Sequence, residues 1–186
     1  MNDNELYHPF LTGEHIYLRG LEETDLQGNY YQWFNNQSTD TYTHHALYPN
    51  SPEKMKAFYE KALCHENMFV LAIIHKEDNC HIGNISLQQI EWINRRAELA
   101  IILGERNYFG KGYATEAGRL IIDYGFDRFN LNSIWLGVHA ENKRAITVYK
   151  KLGFIEEGLI RERFIRNQTC SDQILMSILR KEWQKK

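Results

Sequence analysis

Residues 107–116 of the chain read Asn-Tyr-Phe-Gly-Lys-Gly-Tyr-Ala-Thr-Glu. An apolar run at residues 99–103 precedes this stretch, and a helical apolar period follows it from Ala114 to Phe129. Glycine lets a backbone approach a ligand closely, and the first N–H groups of a helix bind phosphates. The segment therefore predicts a strand, a phosphate-binding turn and a helix, in that order.

Two familiar phosphate motifs do not fit this turn. A Walker A loop requires Ser or Thr after its Gly-Lys pair, but Gly112 follows Lys111. A dinucleotide-binding fingerprint requires a third glycine, and Thr115 stands at that place. A plain glycine turn with no ligand remains the alternative when this segment is taken alone.

Hydrophobic periods on either side of the turn predict the rest of the fold. Thr24 is the predicted N-cap of the first helix, and Ser51-Pro52 opens the second. The predicted elements are a strand at 15–18, the two helices, strands at 68–75, 81–89 and 95–103, a helix at 114–129, a strand at 133–138, a helix at 143–152, and strands at 155–164 and 170–180. This order, β-α-α-β-β-β-α-β-α-β-β, predicts an α/β fold in which helices cover both faces of a mixed central sheet.

A second long motif stands at residues 138–154, which read Val-His-Ala-Glu-Asn-Lys-Arg-Ala-Ile-Thr-Val-Tyr-Lys-Lys-Leu-Gly-Phe. Together with Gly-Lys-Gly-Tyr-Ala-Thr-Glu-Ala at residues 110–117, it resembles the GNAT superfamily of N-acetyltransferases. The similarity is strongest to the branch of the ribosomal-protein alanine and spermidine acetyltransferases, in which Asn-x-x-Ser/Ala-x-x-x-Tyr-x-Lys-Leu-Gly-Phe follows the glycine segment. Because the predicted element order also matches, the resemblance implies a single GNAT domain over residues 1–186.

The resemblance implies an enzyme that moves the acetyl group of acetyl-CoA to a primary amine by direct attack in a ternary complex. No metal is expected. The positions that the family uses for acetyl-CoA are, in this sequence, Ile101, Ile102, Leu103, Phe109, Gly110, Lys111, Gly112, Tyr113, Ala114, Thr115, Asn142 and Tyr149. A non-catalytic acyl-CoA-binding domain is the alternative of another class, and the presence of Tyr149 disfavours it, because such a domain needs no acid.

Acetyl transfer from a thioester to an amine requires a base, donors for the oxyanion and an acid for the thiolate. The family places a tyrosine beside the CoA sulfur at the position of Tyr149, which is therefore the predicted acid; a core tyrosine is the alternative. Glu98 is the predicted base, with a structural ion pair to Arg95 or Arg96 as the alternative, and water or His45 as the other bases. The backbone N–H of Ile101 or Ile102 is the expected oxyanion donor.

The resemblance implies that the acceptor binds between the first two helices, where Trp33, Asn35, Tyr42 and His45 are the predicted contacts. This loop is aromatic and polar, and Asp40 is its one carboxylate. Rings and neutral hydrogen-bonding groups favour a nucleotide-linked amino sugar, whereas a peptide N-terminus or a polyamine is the alternative.

Composition narrows the remaining classes. The chain of 186 residues has a formal net charge of −2, so no basic excess indicates nucleic acid. Its three cysteines lack metal or disulfide spacing, and no apolar run is long enough for a membrane span. We therefore expect a cytoplasmic protein that acts on a small or flexible amine, without nucleic-acid or membrane partners, and with a homodimer as one form of assembly.

Overall fold

The structure is a computed structural model that describes residues 6–35, 49–64, 66–166 and 168–183. Its strands are β1 (Leu11–Thr12), β2 (Ile16–Gly20), β3 (Met68–His75), β4 (His81–Glu91), β5 (Arg96–Leu103), β6 (Ser133–His139), β7 (Ile155–Arg166) and β8 (Thr169–Leu179). Its α-helices are α1 (Tyr30–Trp33), α2 (Pro52–Cys64), α3 (Tyr113–Asp127) and α4 (Lys143–Leu152). The predicted α/β class and element order are confirmed, with the two-residue strand β1 as an addition.

The strands form one mixed sheet in the order β1-β2-β3-β4-β5-β6-β8-β7. Strands β1 to β5 are antiparallel neighbours, whereas β5 and β6 are parallel because α3 lies in the connection between them. The parallel pair is short, since only Arg96, Ala97 and Glu98 pair with β6, opposite Ser133, Ile134 and Trp135.

Beyond Glu98 the two central strands separate. β5 continues to Leu103 with β4 as its partner, and β6 continues to His139 with β8 as its partner. We call the space between residues 99–103 and the second half of β6 the β5–β6 gap. Because alternate backbone groups of a strand point to opposite sides, one row of N–H and C=O groups of β5 faces this gap without a strand partner.

Each face of the sheet carries its own hydrophobic core. Leu99, Ile121, Ile134 and Tyr149 belong to the larger core, under α3 and α4. The smaller core lies on the opposite face, under α1 and α2, and contains Tyr17, Tyr30, Trp33, Met55 and Ile74. Since side chains alternate along a strand, Glu98 lies on the face opposite to its buried neighbours Ala97 and Leu99.

The helix predicted after Thr24 is wrong in its form. The structure has a 3-10 turn at Glu23–Gln27, capped by Glu22, and then only the short helix α1. Gly28 separates the two, as expected from its poor helix propensity. Asp25 is also engaged elsewhere, because its carboxylate accepts both a bidentate pair of hydrogen bonds from Arg19, at 2.7 and 2.8 Å, and the Glu22 N–H.

Candidate active site

The predicted phosphate turn has the geometry of an anion cradle. Gly110 and Gly112 have φ values of 77° and 91°, which favour glycine, and a Cβ at either position would meet no atom within 4 Å. Gly112 is the N-cap of α3. Within the described residues the consecutive backbone N–H groups of residues 110–114 have no acceptor. These free donors at a helix N-terminus fit a phosphate group.

The cradle of free N–H groups is shorter at both ends than the predicted range of residues 109–115. The Phe109 N–H donates to the Arg106 carbonyl at 3.1 Å, and the Thr115 N–H donates to the Gly112 carbonyl at 2.9 Å. Neither backbone group is therefore free for a ligand, although both residues border the turn.

Two cations lie beside the turn. The Lys111 Nζ lies 5.4 Å from the centre of the Tyr108 ring, and the Arg144 guanidinium carbon lies 5.9 Å from the centre of the Phe109 ring. Sequence reasoning missed Arg144; its place two residues after the motif asparagine is the signal that could have found it. Their charges would favour the binding of an anion there.

Asn142 has a structural task at the start of α4. It is the N-cap residue, and its Oδ1 accepts the Ala145 N–H at 3.1 Å. Within the described residues its side-chain NH₂ donates to no protein group, so it can still bind a ligand. Gly153, with φ of 94°, ends the helix as predicted.

Tyr149 lies in the core on α4, with 8 % of its surface exposed. Burial raises the pKa of its phenol to about 12, and the Glu98 carboxylate adds to the shift. Its hydroxyl has no hydrogen-bond partner in the described part of the chain, and yet it is not among the fully enclosed atoms there. At neutral pH the phenol is therefore protonated, and no other described group accepts its proton.

Glu98 lies at the apex of the β5–β6 gap, because it is the last β5 residue that pairs with β6. Burial raises the pKa of its carboxyl group above the usual range, and a hydrogen bond from Gln89 opposes that effect. The Gln89 amide reaches Oε2 at 2.5 Å from a bulge in β4, where Gln89 has φ of 50°. The alternative ion pairs are absent in the described residues, since Arg96 pairs with Glu91 and Arg95 bonds to Asn130.

The predicted acceptor contacts are only partly described. The Trp33 ring lies against Gly104 and its indole N–H donates to Glu105 at 2.8 Å, so α1 is fixed to the end of β5. Asn35 bonds to the backbone of Asn50, at the start of the chain leading into α2. Tyr42 and His45 lie outside the described residues. In the described ranges, no group of three or more His, Cys, Asp or Glu residues could hold a metal ion.

The family described as acetyltransferase (GNAT) domain matches residues 15–155. The chain belongs to the GNAT acetyltransferase family. It is an acetyl-CoA-dependent N-acetyltransferase with acetyl-CoA as its co-substrate, and both predictions from the motifs are confirmed. No helix among the described residues is long and apolar enough to cross a membrane.

Several similar proteins act on spermidine. The chain is 35 % identical over 170 residues to the spermidine N(1)-acetyltransferase of Escherichia coli strain K12, covering 90 % of this chain and 88 % of that protein. A crystal structure of the Vibrio cholerae spermidine N-acetyltransferase with CoA and spermine has a TM-score of 0.81 at 30 % identity, covering 90 % of this chain and 97 % of that one. The putative ribosomal N-acetyltransferase YdaF of Bacillus subtilis is 32 % identical over 107 residues, 58 % of each chain.

These similarities confirm the GNAT branch predicted from the motifs. They give no support to the predicted nucleotide-linked amino sugar, and they agree with the polyamine alternative. One solved Vibrio cholerae relative is dodecameric, so a homodimer is not confirmed for this chain.

Proposed function

We propose that the chain acetylates a terminal primary amine of a small polyamine of the spermidine class. The observation that carries the catalytic part is that Glu98, at the apex of the β5–β6 gap, lies near enough to the buried Tyr149 phenol for its charge to raise the pKa of that phenol. The similarity to spermidine acetyltransferases supports the acceptor class.

In this proposal Glu98 takes the proton of the attacking amine. A partly buried carboxylate with a raised pKa is a stronger base than one in water, and it attracts the ammonium form of the acceptor before the proton moves. Gln89 holds one carboxylate oxygen and leaves the other for the amine.

Tyr149 acts as the acid. Acetyl-CoA supplies the thioester, whose departing sulfur takes up a proton as the amide forms. The Tyr149 hydroxyl can give that proton because no described protein group competes for it. The N–H groups of Ile101 or Ile102 that face the gap would hold the negative charge that develops on the carbonyl oxygen.

The acetyl-CoA arm would lie along the free edge of β5 at Ile101, Ile102 and Leu103. Strand addition satisfies backbone groups that have no strand partner, as an amide-bearing arm can do. The phosphates would then meet the N–H groups of residues 110–114, with Lys111 and Arg144 beside them.

The acceptor class is tested by competition. Spermidine, an Ala-starting peptide and a nucleotide-linked amino sugar are offered at equal concentration with acetyl-CoA, and the products are separated by mass spectrometry. We expect spermidine to have the highest kcat/KM, by at least about tenfold. A higher kcat/KM for the peptide or the sugar would refute the acceptor proposal and leave the N-acetyltransferase assignment intact.

The cradle is tested with a pair of glycine variants. Gly112→Ala and Gly153→Ala each place a side chain at a positive φ, which should lower stability by about 1–2 kcal/mol. Gly153→Ala should lose at least as much as Gly112→Ala, because its Cβ would also lie 3.2 Å from Ile178 Cδ1. Only Gly112→Ala should weaken acetyl-CoA binding, by about tenfold or ~1.4 kcal/mol. Calorimetric titration of the folded variants measures this, and equal affinities for the pair would contradict the phosphate cradle.

Self-association through β7 is part of the proposal. β7 is the terminal strand of the sheet, and its exposed side chains include Ile155, Leu159, Ile160 and Ile165. Exposed apolar side chains on an edge strand favour contact with another chain, and a second copy would cover these four. The dodecameric relative is consistent with this interpretation.

A further inference from the structure

A polar cluster connects the two ends of the glycine turn to the hairpin between β3 and β4. His75 ends β3 and is 7 % exposed, and its Nδ1 lies 2.9 Å from Asp78 Oδ1. Because a carboxylate only accepts hydrogen bonds, Nδ1–H is the donor and, in the neutral ring, Nε2 is an acceptor. Nε2 lies 3.1 Å from the Tyr113 hydroxyl, which therefore donates to it.

The second carboxylate oxygen of Asp78 binds Tyr108, at the N-terminal end of the glycine turn. The Tyr108 hydroxyl donates to Asp78 Oδ2 at 2.5 Å, and this bond raises the pKa of the phenol, which keeps the donor protonated. The Cys80 N–H donates to Oδ1 at 3.1 Å and fixes Asp78 within the hairpin. The rings of His75, Tyr108 and Tyr113 also lie within contact distance of one another.

Tyr108 immediately precedes residues 109–112, and Tyr113 immediately follows them. Phe109 contacts Arg144, but the two glycines of the turn have no packing that could hold them, since a Cβ at Gly110 or Gly112 would meet nothing within 4 Å. The backbone N–H groups of residues 110–112 are likewise free within the described residues. Residues 110–112 therefore depend on the two ends of the turn for their position.

We propose that the His75–Asp78 pair is a positioning device for the cofactor, which clamps Tyr108 and Tyr113 so that the free N–H groups of the turn converge on the CoA phosphates. The proposal rests on the phosphate cradle proposed above. His75 and Asp78 act through the two tyrosines and do not touch the reacting atoms.

The test compares two acetyl donors. Acetylpantetheine carries the thioester and the amide arm of acetyl-CoA but no phosphate, so a displaced turn should affect acetyl-CoA alone. In His75→Leu we expect kcat/KM for acetyl-CoA to fall by about tenfold, through KM, while kcat/KM for acetylpantetheine is unchanged. A general loss of packing would lower both values and would overturn the proposal.

Four further variants make the result specific. We call kcat/KM for acetyl-CoA divided by kcat/KM for acetylpantetheine the donor ratio. Tyr113→Phe removes one hydroxyl and should lower this ratio by a smaller factor than His75→Leu does. It keeps the test available if His75→Leu does not fold. Asp78→Asn retains an acceptor oxygen, so its kcat/KM for acetyl-CoA should fall less than that of Asp78→Ala. Tyr17→Phe is the matched control, because the Tyr17 hydroxyl bonds to Asn79 of the same hairpin at 3.3 Å and does not contact the turn.

Gly112→Ala separates the two proposals. If Gly112→Ala lowers the donor ratio and neither folded His75→Leu nor Tyr113→Phe does, the clamp is refuted and the cradle stands. If none of the three changes the ratio, both are refuted.

Discussion

Replacing Tyr149 with Phe is expected to lower kcat about a hundredfold and to leave the KM for acetyl-CoA nearly unchanged. The change removes one hydroxyl that has no partner in the described part of the chain, so little packing or binding is lost. What is lost is the proton for the departing sulfur. Steady-state kinetics at saturating acceptor measure the effect.

The control for this variant is Tyr124→Phe. Tyr124 lies on α3, stacked on Phe69, away from the β5–β6 gap. Its variant should keep wild-type kcat. If Tyr149→Phe also keeps it, the sulfur receives its proton from water and the acid role is wrong.

Replacing Glu98 with Gln is expected to reduce kcat/KM at neutral pH by about a hundredfold and to abolish the acidic limb of the pH profile. The base works only when it is ionised. Since burial raises its pKa above 4.5, wild-type activity should fall as the pH drops through that raised value. A pH series of kcat/KM for both proteins measures this.

Glu91→Gln is the matched control, because Glu91 is an exposed carboxylate at the end of β4 and pairs with Arg96. It should retain both activity and the acidic limb. A Glu98→Gln profile that matches the wild type across the pH range would assign the base to water or to another group.

Glu98→Gln should not lower the free energy of unfolding at neutral pH. The folded protein holds the Glu98 proton more tightly than the unfolded chain does, so this group favours folding below its unfolded pKa. That contribution is lost as the pH rises through the raised folded pKa. Gln removes the ionised form and can still accept the Gln89 hydrogen bond. Thermal unfolding should therefore give an equal or higher Tm for a nearly inactive variant.

Most elements could be predicted from the sequence because their signals are local. The apolar period and Gly153 give both ends of α4, and Pro52 gives the start of α2. The interruption before α1 could not be predicted in this way, because the Asp25 carboxylate binds Arg19 on β2 and not the first turn of a longer helix. A local pattern contains no information about such a tertiary contact.

The same distinction between local pattern and tertiary contact applies to the residues of the candidate site. Gly110 and Gly112 are recognisable between a predicted strand and a predicted helix, and Tyr149 is recognisable from its place in the family motif. The β5–β6 gap is not, since the apolar residues of β5 and β6 read as two ordinary buried strands and only their pairing shows where they part. No sequence signal identifies Gln89 or His75 either. Gln89 reaches Glu98 from a bulge in β4, and His75 reaches Tyr113 because the β3–β4 hairpin lies beside the glycine turn.

The three residue pairs that join β5 to β6 also make the centre of the sheet its mechanical seam. Hydrogen bonds across the seam are few, whereas the core under α3 and α4 contains residues of both halves and continues beneath it. We expect any relative rotation of the halves to occur about that core, which would open or narrow the gap on the opposite face. An arm of acetyl-CoA lying in the gap would act as a missing strand and oppose this rotation. The protein would then be stiffest while it holds its co-substrate and most compliant just after releasing it.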